Sequence, residues 1–212
     1  RFVHSLGVFG NALTVYEHLA GRAKDHNLVV PGLRFDDFSA IDFCIAALCH
    51  DLGHTAFSHV LEGNFLPNGC NTHEECTIQL LSGDSMIADA IDNAADKEAV
   101  ISLMEKHHPN QALNDLISGV FDVDRCDYVL RDSYMSGVEY GQFDLKWLIR
   151  GLNIELNPSG RPILLLDGPR GMDALRQFLS ARRYMHRQVY FHRGVRSIQV
   201  LFQSIFERAR HL

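Results

Sequence analysis

The chain has 212 residues, of which 46% are hydrophobic, and a mean hydropathy of −0.07. That is enough for one large domain or two small ones with a sizeable core. A formal net charge of −6 and a pI near 6.0 exclude a global pull toward nucleic acid or anionic lipid, so an anionic substrate has to be met by a local basic patch.

No apolar stretch is long enough to span a bilayer and no signal peptide is visible. The five cysteines, Cys44, Cys49, Cys70, Cys76 and Cys126, form no C-x-x-C pair. An odd, unpaired set fits reduced thiols in a cytoplasmic enzyme better than a disulfide scaffold. Residue 1 is Arg and opens directly into a motif-bearing segment, and the last residues still read as helix. The sequence therefore reads as a fragment truncated at both ends.

Phe2 to about Ala23 is helical by pattern, with Leu6, Ala12, Leu13, Tyr16 and Leu19 at mixed three- and four-residue steps. A loop follows through Asp25-His26-Asn27 and Pro31-Gly32, and Asp36 or Asp37 caps a second helix carrying Phe38, Ile41, Phe43, Ile45, Ala46 and Leu48. That helix is apolar on most sides, hence buried, and it ends at Cys49-His50-Asp51-Leu52-Gly53. Shorter helices are expected over Phe57 to Leu61, His73 to Leu81, Ser85 to Asp92, Lys97 to His107, Val123 to Tyr134 and Asp144 to Gly151. Leu152-Asn153-Ile154-Glu155-Leu156 and Pro162-Ile163-Leu164-Leu165-Leu166 flank Asn157-Pro158-Ser159-Gly160, which reads as a β-hairpin near 152–167. A long helix runs from about Met172 to the end, with a break near Gly194. There is no βαβ alternation, so the class is mostly α with one hairpin.

Three pieces of chain carry candidate metal ligands: Arg1-Phe2-Val3-His4-Ser5-Leu6-Gly7, Cys49-His50-Asp51-Leu52-Gly53-His54 and Asp122-Val123-Asp124-Arg125-Cys126-Asp127-Tyr128. Imidazole and carboxylate ligands suit Mn, Fe, Zn, Ni or Co. Two histidines and two aspartates leave positions open for water and a phosphate oxygen. Left unpartnered, His50 and Asp51 at the end of an apolar helix would be costly to bury. His18, His26 and His211 read instead as ordinary hydrogen-bonded or surface residues. Asp122 and Asp127 compete with Asp124 as carboxylates, and the spacing to Tyr128 favours Asp124.

Further along, His54 follows His50 by four residues, and His59, Glu62, His73 and Glu74 follow it. Such a cluster can hold a proton donor, because imidazole titrates near pH ~6.5. Asp124, Tyr128 and Asp132 fall at i, i+4 and i+8, one stripe of a helix. Arg182, His186, Tyr190 and Arg193 fall at i, i+4, i+8 and i+11 on a locally basic helix, a face suited to polyphosphate and sugar. Arg183 and Arg187 read as a solvated face.

The set of His4, His50-Asp51 and Asp124, with His54, Phe57-Ser58-His59, Thr72-His73-Glu74, Arg131-Asp132 and Tyr184-Met185-His186-Arg187-Gln188-Val189-Tyr190-Phe191-His192-Arg193, resembles the HD-domain phosphohydrolases. Within them it is most similar to the deoxynucleoside triphosphate triphosphohydrolase branch, which holds the bacterial dGTPases and the sterile-alpha-motif/HD enzymes. Glu62 stands where that family often has Asp, and Thr55-Ala56 departs from its usual Gly-Pro or Thr-Pro.

The resemblance implies one HD helical bundle over 1–212 and a single divalent transition metal on His4, His50, Asp51 and Asp124, with Mg accompanying the nucleotide as an option. It implies catalytic roles for His54, His59, Glu62, His73 and Glu74. Arg1, Arg125, Tyr128, Asp132, Arg182, Tyr190 and Arg193 would bind substrate, with Arg125 on phosphate, Tyr128 against the deoxyribose and Asp132 on its 3'-hydroxyl. The implied reaction is hydrolysis of a dNTP to deoxynucleoside and triphosphate, by metal-activated water attacking the α-phosphorus. The alternatives are an HD enzyme for a monophosphate, cyclic nucleotide or alarmone, and a non-catalytic nucleotide sensor. A homo-oligomer is expected; a membrane or nucleic-acid partner is not.

Overall fold

The structure, a computed structural model, describes residues 1–25, 40–60, 62, 66 and 69–210. The expected loop at 26–32, the Asp36 or Asp37 cap, and His26 and His211 lie outside the described residues. Among the described residues the chain is mostly helical with one antiparallel hairpin, the expected class.

The first helix, α1 (Phe2–Asp25), buries Val8, Ala12, Val15 and Leu19 along one stripe. His4 lies one turn N-terminal on that same stripe, so the packing that buries α1 also points His4 inward. α1 packs on α2 (Ala40–Cys49), which buries Phe43, Cys44, Ala46, Ala47 and Cys49. Each fully buried Val, Leu or Phe contributes about 1.5–3 kcal/mol. A dense α1–α2 contact is therefore a rigid base for whatever stands at the helix ends.

Short helices follow: α3 (His73–Ser82), α4 (Met86–Asp92) and α5 (Lys97–Met104). Thr72, Ser85 and Asp96 cap them, their side chains accepting from backbone N–H groups of the first turn. α5 stops earlier than expected, and Lys106 takes a left-handed conformation beyond it. No element was expected between His107 and Val123, yet α6 (Gln111–Ser118) lies there, capped by Asn110. It buries Ala112, Leu113, Leu116 and Ile117 in the same core as α1 and α2.

α7 (Val123–Ser136) is capped by Asp122 and stopped by Gly137 in the left-handed region, φ 69°. It packs on α1 with one face and on a second core with the other, where Cys126 and Val129 meet Phe143, Leu148, Phe178 and Met185. α8 (Leu145–Arg150) leads into β1 (Leu152–Leu156) and β2 (Pro162–Leu166), paired antiparallel from Leu152↔Leu166 to Leu156↔Pro162. Their turn closes with Gly160 N–H donating to Asn157 O, 2.8 Å.

The last helical stretch begins before Met172 and is broken before Gly194. α9 (Gly168–Met185) passes into one π-helical turn (His186–Tyr190), and after Phe191 and His192 a separate α10 (Arg193–Ala209) begins. His192 caps α10 by accepting from Gly194 N–H.

Candidate metal centre

His4 stands in the first turn of α1, His50 and Asp51 at the C-terminal end of α2, and Asp124 in the first turn of α7. Three helix ends thus meet at one point. His4 Nε2 is 3.1 Å from Asp124 Oδ1 and 3.8 Å from Asp51 Oδ2. His50 Nε2 is 3.3 Å from Asp51 Oδ1 and 3.4 Å from Asp124 Oδ1. Despite these distances His50 Nε2 has no directed hydrogen bond among the described residues and is shielded from solvent. The negative C-terminal end of α2 adds to the anionic character of the point.

The other ring nitrogen of each histidine is tied down. His50 Nδ1 donates to Ala47 O, 2.7 Å, because a carbonyl can only accept. In the neutral ring that a cation would meet, this leaves Nε2 as the lone pair, facing the two carboxylates. His4 Nδ1 donates to Asp127 Oδ2, 2.7 Å, and Asp127 is itself gripped by Arg131 through two bonds of 2.8 Å. Carboxylate- or carbonyl-oriented histidines with the second nitrogen free are the arrangement that metal ligation uses. An orphaned imidazole lone pair among two aspartates and a second imidazole therefore fits a divalent cation; ligand atoms of His4, His50 and Asp51 lie within 4.8 Å of one another.

Electrostatics say the same. Burial works against a charge on His4, but the hydrogen bonds and charges of Asp124 and Asp127 outweigh it and lift its pKa to about 9. His50 is likewise raised against its burial by Asp124 and Asp51. Burial would raise Asp124, yet His4 and His50 hold it down at about 2. Asp51 falls below its usual range for the same reason, with His54, His50 and Arg1 outweighing burial. Without a cation, the protein recruits protons to neutralise this point.

Gly7 and Gly53 make the meeting sterically feasible. A Cβ on Gly7 would clash with the Asp127 carboxylate and the Arg131 guanidinium, and one on Gly53 would strike the backbone of His73 and Thr77. Gly53 N–H instead donates to Thr77 Oγ1, 2.8 Å, fastening the end of α2 to α3.

A second cluster adjoins the first. His54, with a side chain only 3% exposed, places Nε2 3.4 Å from Asp51 Oδ1. Its ring stacks on His73 with centroids 3.7 Å apart and planes 8° from parallel. Burial, with the charges of His73 and Arg1, lowers its pKa despite Asp51. Glu62 spans two rings, with Oε1 2.5 Å from His73 Nδ1 and Oε2 2.5 Å from His59 Nδ1. Its carboxyl is held at about 2 by His59 and His73 against the effect of burial. A continuous polar path therefore runs from half-buried Asp51 to His59, whose side chain is 70% exposed. Glu74 is not part of it: it lies on the exposed face of α3, with no hydrogen bond or ion pair among the described residues.

Of the residues expected on substrate, Arg1 reaches Asp51 at 2.6 Å and also Ser58 Oγ. Tyr128, one turn beyond Asp124, meets Tyr190 edge to face at 6.0 Å, and burial pushes its hydroxyl up against the opposing charge of Arg182. Tyr190 Oη donates to Asp132 Oδ2, 2.8 Å. The two stripes thus face each other across α7 and the α9–π segment. Arg125 pairs with Asp122 and donates to Gly119 O, 2.5 Å. Arg182 Nε and His186 Nε2 are shielded and unpartnered among the described residues. An open cavity of about 550 Å³ lies along Arg182, Arg183, His186, Arg187 and Phe191, and none of the four candidate ligands lines it.

Arg193 departs from the expected stripe. The π turn and the break at Phe191-His192 shift the register, so Arg193 starts α10 and is exposed. Sequence reasoning undervalued Asp127 and Arg131, which orient His4, and passed over Ser58. The i, i+4 spacing of Asp127 and Arg131 was a readable ion-pair signal.

Residues 1–132 match the family described as the HD domain, and the chain belongs to that family. It is 34% identical, over all of its length and 45% of the relative's, to the uncharacterized protein YwfO of Bacillus subtilis. It is 30% identical to the deoxynucleoside triphosphate triphosphohydrolase SAMHD1 homolog of Dictyostelium discoideum, over 99% of this chain and 40% of that one. A phosphohydrolase crystal structure from Bacteroides thetaiotaomicron superposes with a TM-score of 0.78 at 28% identity, covering 99% of this chain and 46% of that one. The chain spans about half the length of these relatives or less. No helix among the described residues is long and apolar enough to cross a membrane.

Proposed function

We propose that the chain is the catalytic domain, as one unit over 1–212, of a metal-dependent phosphohydrolase that converts a dNTP to its deoxynucleoside and inorganic triphosphate. The observation that carries the reading is the shielded, unpartnered His50 Nε2 facing Asp51, Asp124 and His4 from three helix ends. Mn, Fe, Zn, Ni or Co suits this nitrogen–oxygen donor set. A cation bound there supplies Lewis-acid polarisation of a phosphoryl oxygen and a lowered pKa for a water.

The chain's own residues do the rest. Arg1 and Arg182, with Arg125 behind them, bind the anionic phosphates and offset charge in the transition state. Tyr128 packs against the deoxyribose, and the Asp132–Tyr190 pair receives its 3'-hydroxyl. A histidine of the His54–His59–His73 set, oriented by ionised Glu62, gives its proton to the departing 5'-oxygen. The dNTP class is favoured by the two facing stripes at Tyr128, Asp132, Arg182 and Tyr190, which offer an aromatic and hydroxyl-binding surface beyond the phosphates. The Dictyostelium relative, named as a deoxynucleoside triphosphate triphosphohydrolase, supports it.

The test is product analysis. The full-length protein, loaded with Mn, is incubated with each dNTP and the products are separated by ion-exchange chromatography. Triphosphate and deoxynucleoside in equal amounts are expected. Orthophosphate as the released anion would refute the substrate class, and no turnover of any nucleotide would refute the enzyme.

A further inference from the structure

The turn that carries His59 has an unfavourable backbone and is braced from the far end of the chain. Phe57 and Ser58 have consecutive left-handed conformations, φ 66° and 50°. Neither side chain favours that region, which glycine normally supplies, and Thr55-Ala56-Phe57-Ser58-His59-Val60 contains no glycine. Burial does not hold the turn either, since Phe57 is 50% exposed.

What holds it is α10. The Phe57 ring lies 4.7 Å from that of Phe202 and 5.9 Å from that of Phe206. Gln203 Nε2 donates to Val60 O, 3.2 Å, across 143 residues of sequence. α10 buries none of its own residues, and its main contacts are with this turn and the π turn. The brace is therefore separate from the two cores that fix the metal centre. The held turn does two things at once: it places Ser58 Oγ against Arg1 and His59 Nδ1 against Glu62.

We propose that Phe57, clamped by Phe202, Phe206 and Gln203 of α10, is a positioning residue for the hydrolysis. It keeps the left-handed turn in the one geometry in which Arg1 and His59 face the phosphates together. The inference rests on the hydrolase reading above for its catalytic half. Its structural half stands on the contacts alone. With the clamp loosened, Phe57 and Ser58 relax to ordinary backbone and His59 swings away. The four metal-facing residues on α1, α2 and α7, and the sugar-facing residues Tyr128 and Asp132 on α7, stay where they are.

The experiment uses the full-length, Mn-loaded protein with Phe202→Ala, Phe202→Leu and Gln203→Ala. Amide hydrogen exchange, bound metal, kcat and KM for a dNTP are measured on each. In Phe202→Ala, exchange across 54–60 rises several-fold while α1 and α7 are unchanged, and metal content stays constant. Its kcat falls about 10–100-fold, the scale of a misplaced reacting group, with KM nearly unmoved. Phe202→Leu recovers most of the loss, and Gln203→Ala shows a smaller change of the same sign. Unchanged exchange at 54–60 in Phe202→Ala overturns the clamp, whatever the activity. Raised exchange with unchanged kcat in an active protein overturns the positioning role. A wild-type protein that hydrolyses no nucleotide removes the hydrolase reading, and the exchange data then still decide whether the clamp holds the turn.

Discussion

His4, His50, Asp51 and Asp124 stand on three helix ends anchored in the main core, and each histidine is fixed by a bond to its second nitrogen. His54, His59 and Glu62 stand between α2 and α3 in the chain. There one glutamate orients two rings, one of them largely exposed, on a turn with two left-handed residues. Two neighbouring histidine sites thus differ in rigidity. The first is placed by packing that would exist without it. The second depends on contacts made for it, with a left-handed conformation costing about 1–3 kcal/mol per residue. A preorganised centre next to a tunable one suits a reaction in which one site holds charge fixed and the other moves a proton.

Replacing a ligand should break the comparison most completely. His50→Ala removes the orphaned Nε2 while leaving a small apolar residue at the end of α2. Bound metal, measured by elemental analysis, is expected to fall to background and turnover with it. Full metal content in this variant would mean that the cation sits elsewhere. Glu62→Gln is expected to be milder and different in kind. It keeps the metal, because Glu62 touches none of the four residues, but its amide cannot orient both rings as an acceptor. A kcat loss of about 10²–10⁴-fold at constant metal content is expected, the usual range for a proton donor. Loss of metal in Glu62→Gln would erase the distinction between the two sites.

How far the sequence revealed these sites follows from the same difference. α1, α2 and the hairpin were legible because their apolar periodicity is the packing itself, and Leu152–Leu156 and Pro162–Leu166 pair as read. α6 was equally present, with Ala112, Leu113, Leu116 and Ile117 on one face behind an Asn110 cap. Its short length between two polar segments hid it. A break near Gly194 was legible, but no local pattern announces the π turn before it, which moves the break to Phe191-His192 and takes Arg193 off the stripe of Arg182 and Tyr190.

Within the site, three aspartates close together on α7 were candidates. Only packing assigns them, since neighbours on a helix point about 100° apart: Asp122 caps, Asp124 faces the centre, and Asp127 turns back to His4. The placement of His59 by Phe57 and α10 was invisible for another reason. It joins segments some 143 residues apart through contacts of no distinctive residue type.

A still smaller effect separates holding from orienting within the rigid centre. Asp127→Asn leaves all four candidate ligands in place but weakens the acceptor on His4 Nδ1. Metal affinity, by competition with a chelator, is expected to fall about 10–100-fold, as for other residues behind a metal-bound histidine. An unchanged affinity would show that α1 packing alone aims His4.

The pH dependence of that affinity sharpens the point. In the metal-free protein His4 titrates at about 9 and His50 is also raised, while Asp124 sits at about 2 and Asp51 lower still. The carboxylates are therefore ionised throughout pH 5–9 and contribute no slope there. Below about 9 a cation has to displace the His4 proton, so apparent affinity rises about tenfold per pH unit as pH increases from 7 toward 9, and flattens above. The same proton has the opposite effect on the metal-free fold. A histidine raised above its unfolded value of 6.5 stabilises fully below that value, and the contribution is lost as pH rises through about 9. Metal-free melting temperature should thus decline between pH 6.5 and 9, while metal-loaded protein gains over the same range. In Asp127→Asn the His4 proton loses one of its two carboxylate partners, so both slopes move to lower pH and the affinity deficit of the variant shrinks as the solution is acidified. If the deficit is constant with pH, Asp127 acts on the cation through position alone and not through the basicity of His4.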